Sequence, residues 1–383
     1  MSTYEFYEFQ AVDRALTQAE QAELRRLSSR ADITSSRLSV VYNWGSFKGD
    51  PNRLMERYFD AFVYVANWGT RELQLRLPRS LFDPAQAEPY LNEETLSLRT
   101  TREHVLLTFR VDREDEADWE DGVGWLSSLL PLRAELLAGD LRALYVAWLA
   151  SVGVPGPGEE DEEEREVEGE DELEPLVPSG LGSCSGALDA LAGFLFVSKD
   201  LLAVAAEASP APASESVPKR ALAEWLSRLP AAEKDSLLLR VIQGSEPLLG
   251  AELLRRFRQS RPPTQAPLAA APRTVGQLRA GATEHRTGRK RRQARKAAQA
   301  RTRELEALAA RESQVWHEVD DLFATRRSTD HAKGVQLLVD LRDLAQHRSS
   351  LDDFQRKLGR IREENARRQG LMRRMKDAGL GVL

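Results

Sequence analysis

Between Glu284 and Glu304 the chain carries no acid and nine cations: Arg286, Arg289, Lys290, Arg291, Arg292, Arg295, Lys296, Arg301 and Arg303. Arginine and lysine at this density neutralise phosphates and release condensed counterions, which binds nucleic acid without reading its sequence. An acidic protein surface offers the same complement. No aromatic residue stands among the nine to stack on bases, so neither base readout nor a single-strand preference follows from them. They are the candidate binding residues, with non-sequence-specific nucleic acid or an acidic protein as the expected partner.

Other residues of chemical interest give less. Asp112, Glu114, Asp115, Glu116, Asp118, Glu120 and Asp121 crowd ten positions. Metal binding or acid–base work needs fixed geometry, and the run lacks the alternating oxygen ligands and turn glycine of a calcium loop. It reads as a solvated loop. Cys184, the only cysteine, lies in Gly182-Ser183-Cys184-Ser185-Gly186. A nucleophile turn needs a strand before it, whereas here an acidic tract precedes, so a flexible loop is expected. His104, His285, His317, His331 and His347 show no ligand spacing, and no phosphate-binding glycine motif or zinc-protease motif occurs. No catalytic residue, metal or cofactor is therefore assigned. An enzyme built on the N-terminal domain would need a pocket of convergent polar groups.

The elements that carry these residues follow from periodicity. Residues 286–303 are rich in Ala and Gln, good helix formers, and predict a helix of roughly 27 Å that is cationic around most of its circumference. Such a helix buries no face of its own, so it sits in water or on an acidic partner. Before it, residues 1–150 predict an α+β domain: an N-terminal mixed sheet with helices on one side, in the order β-α-β-α-ββ-α-ββ. Thr17 and Glu20 match a capping box, and Asp50-Pro51 and Asp83-Pro84 mark helix starts. Asn-Trp-Gly occurs twice after a strand, at Asn43-Trp44-Gly45 and Asn67-Trp68-Gly69. One reading is a pair of exposed tryptophans gripping a ligand or a base at one sheet end. The expected reading is two turns, each with Trp as a core plug and Gly at positive φ, left by a weak internal duplication.

Residues 151–182 form an acidic linker. Residues 159–164 are six consecutive acids, and a tract this charged repels itself and is expected to be disordered. It either solubilises the chain or covers the basic helix as an internal mimic of phosphate. Residues 183–260 predict a small helical module whose apolar stripes are core, and 261–274 a Pro/Ala linker. Residues 275–383 hold the basic helix and a C-terminal helical hairpin. Net charge is −6, so the chain is not globally basic; the charge is sorted into blocks. The start has no basic and apolar leader, and no apolar run reaches ~18 residues, so no membrane span and a cytoplasmic setting are expected.

The stretch VWHEVDDLFATRRSTDHAKGVQLLVDLRDLAQHRSSLDDF, followed by MKDAGL, resembles the C-terminal tail of bacterial SWIM zinc-finger proteins, and the overall arrangement resembles a bacterial family that shares this tail. The SWIM metal site needs a Cys-x-Cys pair and a distant Cys-x-His, and one cysteine cannot supply them. No metal ligand carries over. The resemblance implies a bacterial cytosolic setting and a shared partner for the tail. A scaffold or adaptor role, with this hairpin as docking surface, is the alternative to nucleic-acid binding.

Overall fold

In β1 (Glu5–Gln10) Phe6 faces one core, while Tyr7 and Phe9 face another. The structure, a computed structural model, describes residues 3–92, 94–113, 119–153, 169–211, 219–243, 248–260, 272–325 and 327–380. The remaining strands are β2 (Asp32–Ile33), β3 (Arg37–Tyr42), β4 (Ala61–Ala66), β5 (Thr70–Pro78), β6 (Leu96–Thr100) and β7 (His104–Asp112). They form one sheet in the order β2-β3-β1-β4-β5-β7-β6. The α+β class expected from the sequence is what the chain adopts, with two corrections. Every ladder is antiparallel, so the sheet is not mixed.

The second correction concerns coverage. In β4, Val63 and Val65 join the core that Phe6 faces, and Phe62 joins the core of Tyr7 and Phe9. A strand apolar on both sides must be covered on both. Helices α1 (Gln18–Leu27) and α2 (Pro51–Arg57) supply Leu24, Leu54 and Met55 to one side. Helices α3 (Trp125–Leu129), α4 (Pro131–Leu137) and α5 (Arg142–Val152) cover the other. The capping box at α1 forms as expected, and so does the β4–β5 hairpin through Gly69, whose φ is 89°. Asp83-Pro84 starts only a single 3-10 turn, Pro84–Gln86.

At the head of β4 a buried charge network joins the sheet to α4. Asp60 is fully buried and accepts from Arg76 at 2.8 Å and from the amides of Val12 and Asp13 at 2.7 and 2.9 Å. Arg133 grips Asp13 at 2.6 and 2.9 Å and donates to the carbonyl of Arg76 at 2.8 Å.

Helices α6 (Gly186–Phe194) and α7 (Lys199–Glu207) add Leu188, Leu191, Phe194 and Leu201 to the same core as β4 and α5. The core is therefore continuous across position 182, where composition alone places a boundary. Helices α8 (Lys219–Arg228), α9 (Ala231–Gln243) and α10 (Leu249–Gln259) follow, with Trp225 of α8 edge-on to Phe257 of α10 at 5.7 Å. On α9 the expected core stripe is only partly core: Leu237 is buried, but Leu238, Leu239, Val241 and Ile242 are exposed.

The fold divides into two compact units, residues 1–286 and 287–383. Helix α11 (Val275–Ala310) begins in the first and ends in the second. In the second unit α12 (Glu312–Ala324), α13 (Ser328–His347), α14 (Leu351–Glu364) and α15 (Gln369–Asp377) enclose Val319, Leu338, Ile361 and Met375. The hairpin expected from the sequence is α13 with α14, and α12 and α15 supply the neighbours that a lone hairpin lacks. Gly334 of α13 is required by this packing, because a Cβ there would overlap the buried ring of Phe323. Gly334→Ala is expected to destabilise the unit, since overpacking costs about 1–3 kcal/mol against ~1 kcal/mol of gained helix propensity. The midpoint of urea unfolding should fall accordingly.

Candidate nucleic-acid interface

Helix α11 opens with a Thr-x-x-Gln capping box. The amide of Gln277 donates to Thr274 Oγ1 at 3.2 Å, and the amide of Thr274 donates to Gln277 Oε1 at 3.0 Å. Its other early amides are taken by the end of the acidic stretch: Val275 donates to the carbonyl of Glu172 at 2.9 Å, and Gly276 to that of Glu170 at 3.0 Å. Beside them Glu174, buried, receives Arg273 through Nε and Nη2, both at 2.8 Å, and also the Tyr145 hydroxyl. Burial first, then the Glu174 carboxylate, pushes the Tyr145 phenol far above its ordinary range. Residues 169–174 lie in the linker expected to be disordered at 151–182, yet they are ordered, because Arg273 offers the bidentate partner a buried carboxylate needs. The six acids at 159–164 lie outside the described residues.

The first turns of α11 are anchored. Val275, Leu278 and Ala282 are buried in the core of the first unit, and Arg279 donates to the carbonyl of Val152 at 2.8 Å. His285 Nδ1 meets the buried carboxylate of Asp200 at 2.8 Å. Near its far end Leu305 and Leu308 are buried in the core of the second unit. Between these anchors every residue from 289 to 300 is exposed. At 36 residues the helix extends ~54 Å, and about a third of it presents its whole circumference to solvent.

Eight of the nine candidate cations belong to this surface or its margins, and one does not. Arg289, Lys290, Arg291, Arg292, Arg295, Lys296 and Arg303 are exposed, and Arg286 is half-buried. Arg301 is different: it donates to Asp340 at 2.8 Å, to Asp343 at 2.7 Å and to Glu304 at 3.2 Å, tying α11 to α13. Its charge is neutralised inside the fold, so it is a structural cation. Lys290, Arg291, Arg292, Arg295, Lys296 and Arg303 form no ion pair among the described residues. At ~100° per residue, Arg289, Arg292, Lys296 and Arg303 fall within a stripe of ~60°, on the side away from Arg301, Leu305 and Leu308. That stripe runs ~21 Å along the axis. Arg301→Gln is expected to leave binding to a polyanion unchanged within about twofold, whereas loss of any stripe cation lowers the salt slope by ~0.9; fluorescence anisotropy separates the two.

The remaining candidates for chemistry are placed elsewhere. The thiol of Cys184 donates to the carbonyl of Leu181 at 3.2 Å, and burial, with Asp189 nearby, pushes it up from its ordinary range, away from a nucleophilic thiolate. Among the described residues no group of three His, Cys, Asp or Glu side chains stands close enough to hold a metal ion. No described helix is long and apolar enough to cross a membrane. In the second unit a cavity of about 350 Å³ is lined by Glu312, Trp316, Leu344, Arg348, Phe354 and Lys357 among others. Trp316 is buried, yet its Nε1 has no hydrogen-bond partner among the described residues. No known protein family matches this sequence, and comparison with curated proteins and with solved structures likewise gave no match.

Proposed function

We propose that this chain is a non-enzymatic binding protein that contacts nucleic-acid phosphates through the exposed cations of α11, without base readout. The observation that supports this is the stretch at 289–300, exposed on all sides, in which Lys290, Arg291, Arg292, Arg295 and Lys296 form no ion pair among the described residues. A solvated helix needs no such charge density, since alternating acids and bases keep it soluble with less self-repulsion. Its partner is a polyanion. The acidic run at 159–164 acts in this reading as a restraint that phosphate displaces. The test is binding of random duplex DNA and RNA by the full chain at 50 and 200 mM salt, beside a form with the eight cations other than Arg301 replaced by Gln. Binding that weakens steeply with salt and disappears in the substituted form is the expected result.

A second reading, a scaffold or adaptor that docks a partner on the C-terminal helices, is favoured by one observation: the cavity beside Trp316, whose indole N–H lacks an acceptor among the described residues. In that case partner binding survives the eight substitutions and is lost in a Trp316→Phe form, which keeps an aromatic ring and removes the donor.

A further inference from the structure

The two Asn-Trp-Gly repeats leave the sheet at the same level on either side of one strand. Glu5, the first residue of β1, pairs with Tyr42 of β3 and with Ala66 of β4. Asn43 and Asn67 follow those partners directly, and Gly45 and Gly69 turn the chain with φ of 71° and 89°. The chain entering β1 is tied to both: Thr3 Oγ1 donates to the carbonyl of Asn43 at 3.2 Å, and the amide of Tyr4 to Asn67 Oδ1 at 2.9 Å. Neighbouring strands lie ~4.8 Å apart, so the two repeats flank Tyr4 at a separation of ~10 Å. Their tryptophans are not core plugs: Trp44 is 67% and Trp68 36% exposed. Trp119, 72% exposed, joins them, its ring 5.9 Å from that of Tyr4, and the Tyr4 hydroxyl donates to the carbonyl of Asp121 at 2.8 Å. Three of the seven tryptophans of the chain thus stand in solvent at one end of one sheet. Single exposed apolar side chains are ordinary, whereas an aromatic cluster of this size marks a contact surface.

Charge selects what the surface contacts. The guanidinium of Arg30 already lies 4.9 Å over the Trp44 ring and 5.5 Å over that of Tyr42, so the chain itself shows the kind of group these faces accept. Asp121, exposed and without an ion pair among the described residues, stands beside Tyr4 and Trp119. Carboxylates beside aromatic faces repel phosphates and attract cations, and a cation over Trp gains from the ring quadrupole. We infer that this end of the sheet docks an arginine- or lysine-rich segment of a partner protein, its cations laid on the faces of Trp44, Trp68 and Trp119. This inference is independent of the reading of α11.

The test titrates a deca-arginine peptide into the full chain at 150 mM salt, beside its uncharged deca-citrulline counterpart, oligo-dT and cellohexaose. The variants are Trp44→Ala/Trp68→Ala and Trp119→Ala, whose helix content and thermal midpoint are checked first; Trp44 and Trp119 are mostly exposed, and Trp44→Ala alone replaces the double variant if the half-buried Trp68 proves necessary for folding. Two cation–π contacts correspond to about a tenfold change in affinity. The expected result is binding of the arginine peptide and not of the citrulline peptide or cellohexaose, weakened about tenfold in the double variant and severalfold in Trp119→Ala, with any binding of oligo-dT through α11 the same in wild type and variants. Equal affinity in wild type and variants would mean that carboxylates elsewhere hold the peptide, and would overturn the inference. So would Trp-dependent binding of citrulline peptide, oligo-dT or cellohexaose, which would reassign the surface to neutral or nucleic-acid ligands.

Discussion

Asp60→Ala is expected to destabilise the N-terminal unit by about 3–5 kcal/mol, since removing one partner of a buried ion pair leaves the other charged and uncompensated. Two guanidinium groups lose by it: Arg76, 2.8 Å from Asp60 Oδ1, and Arg133, whose Nη2 lies 3.6 Å from the same oxygen. Asp60 and Arg76 side chains are 1% and 8% exposed, so water cannot replace the missing charge. The amides of Val12 and Asp13 also lose their acceptor. The pH dependence has a definite sign. Burial acts to raise the Asp60 carboxyl, but Arg76, Arg133 and the two amides outweigh it and hold the group below its ordinary value. A depressed carboxylate contributes stability that is complete above its unfolded pKa of ~3.9 and is lost as pH falls through the folded one. Asp13 is raised, by burial first, and works in the opposite direction. The Asp60→Asn form should therefore unfold more easily at neutral pH and lose part of the acid-side slope of the wild type. Urea unfolding between pH 3 and 7 measures both; identical midpoints at neutral pH would remove this network from the account of stability.

How much of this was legible in the sequence follows from how local each cause is. The Thr17 and Glu20 box, the Gly69 turn and the cationic helix all arise from residues within one or two turns of each other, and spacing reveals them. The box at Thr274 and Gln277 was equally local and could have been read from Thr-x-x-Gln before an apolar position. The Arg273–Glu174 pair spans 99 positions, and Arg301 reaches Asp340 and Asp343 across 39 and 42. No periodicity connects such residues, so the acidic stretch looked featureless to its end and Arg301 looked like its eight neighbours. The tryptophans fail for another reason. Glycine at positive φ fixes the turn but not the direction of the residue before it, and Trp44 and Trp68 point outward where size alone argued for burial. The helix α9 misleads in the same way, because an apolar stripe states only that a partner is wanted.

Replacing Arg289, Arg292, Lys296 and Arg303 together by Gln is expected to remove most duplex binding, because these four share one face of α11. If each neutralises one phosphate, the logarithm of affinity falls with the logarithm of salt at a slope of about −3.6, or roughly 10²-fold between 50 and 200 mM. The quadruple variant should show a slope near that of its few remaining cations, while Arg301→Gln keeps the wild-type slope because Asp340 and Asp343 already neutralise it. The acidic restraint has its own signature. If the acidic run restrains α11 as proposed, changing the six acids at 159–164 to Gln raises affinity and steepens the salt dependence, and unchanged binding would remove the restraint from the proposal. Substitution is preferable to deleting the whole acidic stretch, because Glu174 and the carbonyls of Glu170 and Glu172 hold the start of α11. The charge pattern also decides between the two readings of function. A phosphate-binding helix loses affinity in the same ratio for every duplex sequence, DNA or RNA, when a stripe cation is removed. An adaptor surface shows no binding of either duplex at 50 mM salt, in wild type or with the acids neutralised, and that outcome would move the function of this chain from α11 to the helices around Trp316.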